Sequence, residues 1–280
     1  MESPIIRKTL LCAKCGYDLE GLPARGNCPE CGTQIVESLA ARLDPEAERF
    51  AEQLAGRAGA RADHMRLAWA LFLASLGELL GCAIVVAPAL SFAATWTRIP
   101  AWLAPGLDGI RAVAPYVALV GAAIGCVATL GVLPWRRDRD VVRARILGGG
   151  GFALWTVAAL MAPSPIVAAS ALLPASMAII GLAPILRALA PNSRHYRTAR
   201  HATQTTRDLL FAAALAGIAG FVAQILALQK EADLAPYFAV AAGASAMLFV
   251  VGIAYRAVNA LWILRAIRRP APTVAEVLDR

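Results

Sequence analysis

The sequence predicts an all-α, multi-pass membrane protein with six transmembrane helices and a small cysteine-rich module at its N-terminal end. Hydrophobic residues make up 59% of the 280 residues, above the roughly 45–50% of soluble domains. The mean hydropathy is +0.60, and two Cys-x-x-Cys pairs precede the first apolar segment. We expect no cleavable signal peptide, because no apolar stretch lies near the start, so the first apolar segment must direct membrane insertion.

Gaps between charged residues define the predicted spans, because a transmembrane helix needs about 20 mostly apolar residues. A Pro163-Ser164-Pro165 turn divides the longest gap into two short spans. The predicted spans are residues 67–90, 112–135, 146–163, 166–187, 209–229 and 236–258. Glu78 is the one charged residue well inside a span.

The distribution of positive charge predicts the orientation of these spans. Sixteen arginines lie in segments that the six spans place on one side, namely residues 57–66, 136–145, 194–207 and 265–280. The other side holds only Arg98, Arg111 and Lys230. Positively charged segments remain cytoplasmic. We therefore expect a protein of the cell (inner) membrane, surrounded by lipid, with both termini in the cytoplasm.

The cysteine pairs predict a four-coordinate metal site. Their spacing is C-x2-C-x12-C-x2-C, and the predicted ligands are Cys12, Cys15, Cys28 and Cys31. Four thiolates at such spacing are typical of tetrahedral zinc or of a single iron. A glycine follows each pair and can adopt the left-handed backbone that a sharp turn around a metal requires. Disulfides are the alternative, but they do not persist in a reducing cytoplasm.

The stretch C-A-K-C-G-Y-D-L-E-G-L, followed by C-P-E-C-G, resembles the short zinc ribbon at the front of many uncharacterised bacterial membrane proteins. This resemblance covers about residues 10–35 and implies zinc and membrane attachment, without an activity to transfer. The cysteine turns are also similar to those of rubredoxins, which bind iron and carry electrons. Rubredoxins have a much longer, aromatic-rich insert, whereas this one has twelve residues and a single aromatic, Tyr17. Zinc is therefore the predicted cofactor and iron the alternative.

These features predict that the chain is divided into four segments. They are a cytoplasmic zinc ribbon (1–36), a charged connecting helix (37–66), the six-helix transmembrane domain (67–264) and a cytoplasmic tail (265–280). Asp44 and Pro45 are residues that favour the start of the connecting helix. The apolar face of that helix is thin and mostly alanine, which favours a spacer over a surface-docking element.

Charge and motif content narrow the function classes. Residues 1–35 carry four cationic and four acidic side chains, and this balance disfavours nucleic-acid binding, which needs a basic surface. Signature motifs of hydrolases, metalloproteases, phosphate loops and dinucleotide-binding folds do not occur, so we expect no catalytic residues. A thiolate site with no open position fits a structural ribbon that docks a cytoplasmic protein partner or scaffolds an assembly.

Glu78 points to a different function, because a carboxylate inside a span is costly and marks a functional site by default. It predicts a small transporter or channel, with Arg256 near the inner end of the sixth span as its candidate partner. A neutral, protonated Glu78 packed between helices is the structural alternative. Around it, Gly77-x-x-x-Gly81 and Gly121-x-x-x-Gly125 predict close helix packing. A membrane-tethered iron electron carrier is the third hypothesis.

Overall fold

The all-α fold class is confirmed by the computed structural model. It describes residues 3–43, 60–86, 104–135, 138–161, 172–198, 205–229, 233–268 and 277–278. Over these ranges residues 3–34 form turns and isolated β-bridges, the longer regular elements are all helices, and there is no extended sheet. One large hydrophobic core holds the long helices together, and a second, small core lies in the N-terminal module.

The helices are numbered in chain order. They are α1 (Ile35–Arg42), α2 (Ala60–Gly81), α3 (Ala104–Cys126), α4 (Arg139–Arg143), α5 (Gly149–Leu160), α6 (Leu172–Leu189), α7 (Arg194–Thr198), α8 (Thr206–Leu228) and α9 (Ala235–Arg268). A π-helical segment, Val127–Val132, continues α3, and another, Ala144–Gly148, joins α4 to α5. A 3-10 turn, Ala190–Asn192, follows α6.

Five helices in the described ranges are long and apolar enough to cross a membrane. They occupy Ala62–Val86, Asp108–Val132, Leu172–Asn192, Thr206–Leu228 and Ala235–Arg268, and each overlaps a predicted span. The remaining predicted span, 146–163, falls on α5. Twelve residues of α-helix rise only about 18 Å, which is shorter than a hydrocarbon core of about 30 Å. Helical backbone nevertheless runs without interruption from Arg139 to Leu160, through the π-helical segment.

Local sequence explains where two of the helices begin. Thr205 and Asp208 form a capping box at the start of α8, in which each side chain accepts a hydrogen bond from the other residue's backbone N–H, both 3.2 Å long. At the start of α4, the Asp138 carboxylate accepts from the Asp140 N–H at 2.9 Å. Both caps satisfy backbone donors that a helix leaves free at its first turn.

Glycines bring α2 and α3 into backbone contact. A Cβ atom added at Gly77 would lie 2.6 Å from the Gly121 carbonyl oxygen, and one added at Gly121 would lie 2.6 Å from the Gly77 carbonyl oxygen. The two small-residue patterns therefore face each other across this interface. Such packing lets helices approach closely where no hydrophobic effect drives them together.

An aromatic pair on α5 covers the next glycines along. The Trp155 ring lies 2.7 Å from where a Cβ would be at Gly81, and the Phe152 ring lies against Gly125. Both rings are fully buried and stack with centroids 6.3 Å apart. Helix α5, which corresponds to the third predicted span, thus packs against α2 and α3 through two large side chains that contact glycines.

The outer surface of the bundle is apolar. On α8, each of four large side chains exposes more than half of its surface, namely Phe211, Ile218, Phe221 and Leu228. An apolar surface of this extent is unfavourable in water and is the normal lipid-facing surface of a membrane protein. The length and the apolar surface of these helices are therefore compatible with a membrane and suggest contact with lipid.

Candidate metal centre and intramembrane ion pair

Two matching turns present the four cysteines. In the first, the Gly16 N–H donates to the Cys12 carbonyl at 3.0 Å, and the Cys12 N–H donates to the Tyr17 carbonyl at 2.7 Å. The second turn repeats both bonds from Cys28 and Gly32, at 2.8 and 2.9 Å. Gly16 and Gly32 have φ angles of +77° and +69°. Only glycine adopts these values readily, so both turns depend on it.

The turns bring the sulfur atoms of Cys12, Cys15, Cys28 and Cys31 within 4.8 Å of one another. The Cys12–Cys31 and Cys15–Cys28 Sγ–Sγ distances are both 3.6 Å. A tetrahedron with Zn–S bonds of about 2.3 Å places its sulfurs about 3.8 Å apart. All four cysteines are free rather than disulfide-bonded. The donor set therefore fits a tetrahedral metal ion.

Electrostatics within the cluster also favour a cation. Backbone N–H groups of Cys15 and Lys14 lower the pKa of the Cys12 thiol to about 6. At Cys15 the Tyr17 N–H lowers the pKa, but burial and the three neighbouring thiols together raise it to about 12. The raised pKa keeps the Cys15 thiol protonated near neutral pH unless a positive charge lies beside its sulfur. A divalent ion would supply that charge, and its binding would release the remaining protons.

A small hydrophobic core supports the cysteine turns. Its buried members are Ile6, Leu10, Cys12, Leu19, Ala24, Cys28, Ile35, Leu39, Leu43 and Val277. Helix α1 packs into this core through Ile35 and Leu39. The Ser38 hydroxyl accepts a hydrogen bond from the Ala13 N–H at 3.0 Å, which ties α1 to the first cysteine turn. The predicted connecting helix after Asp44 lies mostly outside the described residues.

Residues 277–278, from the predicted tail, also belong to the module. The Arg7 N–H donates to the Val277 carbonyl at 3.0 Å. Ile6 and Leu278 form an antiparallel β-bridge, and Val277 is only 2% exposed. The two ends of the described chain therefore meet in one small core.

Glu78 on α2 and Arg256 on α9 meet inside the helical bundle. Arg256 Nε lies 3.6 Å from Glu78 Oε2, and the two side chains are 3% and 0% exposed, respectively. Over the described ranges, neither Glu78 oxygen has a hydrogen-bond partner, and the same holds for Nε and Nη2 of Arg256. The contact is thus an ion pair without a hydrogen bond, in a place where unsatisfied polar atoms are costly.

Other buried polar side chains lie close to this pair along the helices. Ser75 precedes Glu78 by one helical turn on α2, and Asn259 follows Arg256 by one turn on α9. Both are buried, and Ser75 Oγ has no partner within the described parts of the chain. Sequence reasoning named the two charged residues and missed these two. Their spacing of three residues from each charge was the signal that could have found them.

No protein-family model, curated protein or solved structure matches the chain. Its function must therefore be inferred from the chemistry of its own sites.

Proposed function

We propose that this chain is a bacterial inner-membrane protein whose cytoplasmic zinc ribbon docks a protein partner or scaffolds an assembly. The four-sulfur cluster carries the proposal. Protein ligands fill every position that a tetrahedral ion offers, which leaves no open coordination position for catalysis. Exposed apolar side chains on the same module, Ile5, Tyr17 and Val36, support a surface for a protein partner.

Contacts between distant segments support an even number of membrane crossings, and therefore six spans. Residues 277–278 pack on the module formed by residues 3–43, and Arg194 donates a hydrogen bond to the Ala41 carbonyl of α1. These contacts support a common side of the bilayer for the module, the segment 193–198 and residues 277–278, and a common side requires an even number of crossings. The five long helices and the helical stretch 139–160 together give six.

Basic side chains next to tryptophans support a cytoplasmic location for that side. The Arg145 guanidinium lies 3.9 Å from the Trp135 ring centroid, and the Arg268 guanidinium lies 5.8 Å from the Trp69 ring. The His195 and Trp262 rings have centroids 5.9 Å apart. Tryptophans concentrate at membrane interfaces, and arginines concentrate on the cytoplasmic one.

Substitution of Cys12 by serine tests the zinc ribbon and its docking role together. Purified under reducing conditions, the wild-type chain is expected to carry about one zinc and no colour, because four thiolates saturate one tetrahedral ion. Cys12→Ser is expected to lose most of this zinc, measured by elemental analysis. It is also expected to lose the partner captured by cross-linking in membranes. Zinc supplies folding energy to such small modules.

Cys126→Ser is the matched control, because Cys126 lies on α3 and is not part of the cluster. It is expected to keep both zinc and partner. If Cys12→Ser still captured the partner, the ribbon would not be the part of the chain that docks it. A red protein with one iron per chain would instead favour the membrane-tethered electron carrier.

A small transporter or channel is the second candidate, favoured by the Glu78–Arg256 pair. Buried charges inside a bundle with open hydrogen-bonding capacity are typical of proton and ion pathways. Glu78→Gln keeps the shape of the side chain and removes its charge. It is expected to abolish proton flux into proteoliposomes, measured with a pH-sensitive dye.

Glu37→Gln, an exposed change on α1, is the control and is expected to leave the flux unchanged. Size-exclusion chromatography establishes that each variant is folded before it is reconstituted. Equal flux through the wild type and a folded Glu78→Gln variant would exclude Glu78 from transport.

A further inference from the structure

Residues 5–7 form an extended edge of the cysteine module. On one side, the Ile6 N–H donates to the Leu22 carbonyl at 3.0 Å, and the Ile6 carbonyl accepts from the Gly21 N–H at 2.8 Å. The next backbone donor, the Arg7 N–H, bonds to Val277 instead. Segment 277–278 therefore lies along residues 6–7 as an added strand would, with residues 21–22 on the opposite side.

The side chains of the added segment also fit this edge. Val277 is buried in the module's core, and Leu278 packs against it, partly exposed. Strand addition of this kind derives affinity from backbone hydrogen bonds and selectivity from pockets for alternate side chains. In the sequence, Glu276 and Asp279 flank the Val-Leu pair, whereas the cationic Arg7 and Lys8 follow Ile6. The sequence beside the Val-Leu pair is thus acidic, whereas the sequence after Ile6 is basic, and opposite charges favour association.

We infer that this edge is a peptide-binding site and that residues 277–278 are its in-chain ligand. The partner of the module is then an extended segment with an apolar, β-branched residue for the Val277 position, flanked by acidic residues. This inference rests on the proposed docking function and names the partner's chemistry. A tethered occupant acts at an effective concentration on the order of millimolar. A partner must therefore displace residues 277–278 before it binds.

A labelled peptide provides the direct test. The probe is a fluorescein-labelled peptide with the sequence of residues 270–280, added to the full chain and to a variant that lacks residues 277–280. The truncated chain is expected to bind it about tenfold or more tightly than the full chain, because the tether no longer competes. A peptide with Val277→Asp and Leu278→Asp is expected not to bind. Equal affinities, or no binding to a truncated chain that keeps its metal, would overturn the inference.

Truncation removes a core residue, so a second variant keeps the whole sequence and carries a protease site within residues 270–275. After cleavage, the fragment is expected to stay bound and then exchange with excess labelled peptide. Immediate loss of the fragment, or no exchange, would overturn the inference. These readouts use no external partner. A failure here is therefore distinguishable from a failure of zinc binding or partner capture in the Cys12→Ser experiment.

Discussion

Replacement of Gly121 by leucine is expected to prevent α2 and α3 from packing and to abolish the folded, monodisperse protein. The new Cβ would lie 2.6 Å from the Gly77 carbonyl oxygen and 2.7 Å from the Gly81 nitrogen. Overpacking costs about 1–3 kcal/mol where neighbouring side chains can move. Both neighbours here are backbone atoms, so the loss of stability is expected at or above the upper end of that range.

Gly109→Leu is the matched control, because Gly109 lies on the same helix and no atom of the described residues lies within 4 Å of a Cβ added there. Both variants are compared by size-exclusion chromatography in detergent and by unfolding in mixed micelles of increasing SDS content. Gly109→Leu is expected to behave as the wild type. A Gly121→Leu protein that remains monodisperse and equally stable would show that the two helices do not touch at these glycines.

Removal of Glu78 alone is expected to destabilise the bundle more than removal of both members of the ion pair. Loss of one partner from a buried pair costs about 3–5 kcal/mol, because the remaining charge has no compensation. Glu78→Leu leaves Arg256, which is 3% exposed and retains its charge inside the bundle. Glu78→Leu combined with Arg256→Met removes both charges and is expected to recover most of the loss.

The two partners are not equivalent, and a double-mutant cycle measures the difference. Arg256→Met leaves a carboxylate that can take up a proton, whereas Glu78→Leu leaves a guanidinium that cannot lose one. We therefore expect Glu78→Leu to be the more harmful single change. The unfolding free energies of the wild type, the two single variants and the double variant give the interaction energy between the two side chains. Additive effects of the two single changes would indicate that the side chains do not interact.

The sequence predicts features whose signal is local. Five of the predicted spans coincide with long apolar helices, because one charge is so costly in hydrocarbon that uncharged gaps mark the spans. The cysteine cluster is predictable for a similar reason. Cys12 and Cys15, with the glycine that follows them, lie within one turn of the chain, so their spacing alone restricts the geometry to that of a metal ligand pair.

Contacts between distant parts of the chain were harder to predict from the sequence. Arg256 could be proposed as a partner of Glu78 from its depth, but no periodicity connects α2 to α9. The packing of Val277 into the N-terminal module is not predicted by any periodicity or motif in the sequence. The span at 146–163 is part of the proposal, because α5 has only twelve residues.

The separation of Glu78 and Arg256 along the chain has a consequence for biosynthesis. The two residues are 178 positions apart, and ribosomes add roughly 5–20 residues per second. Glu78 therefore emerges roughly 9 to 36 seconds before its counter-ion is made. During that interval the nascent α2 has no counter-charge for Glu78. The carboxyl group must therefore be protonated, or the membrane-insertion machinery must shield it, until α9 is synthesised.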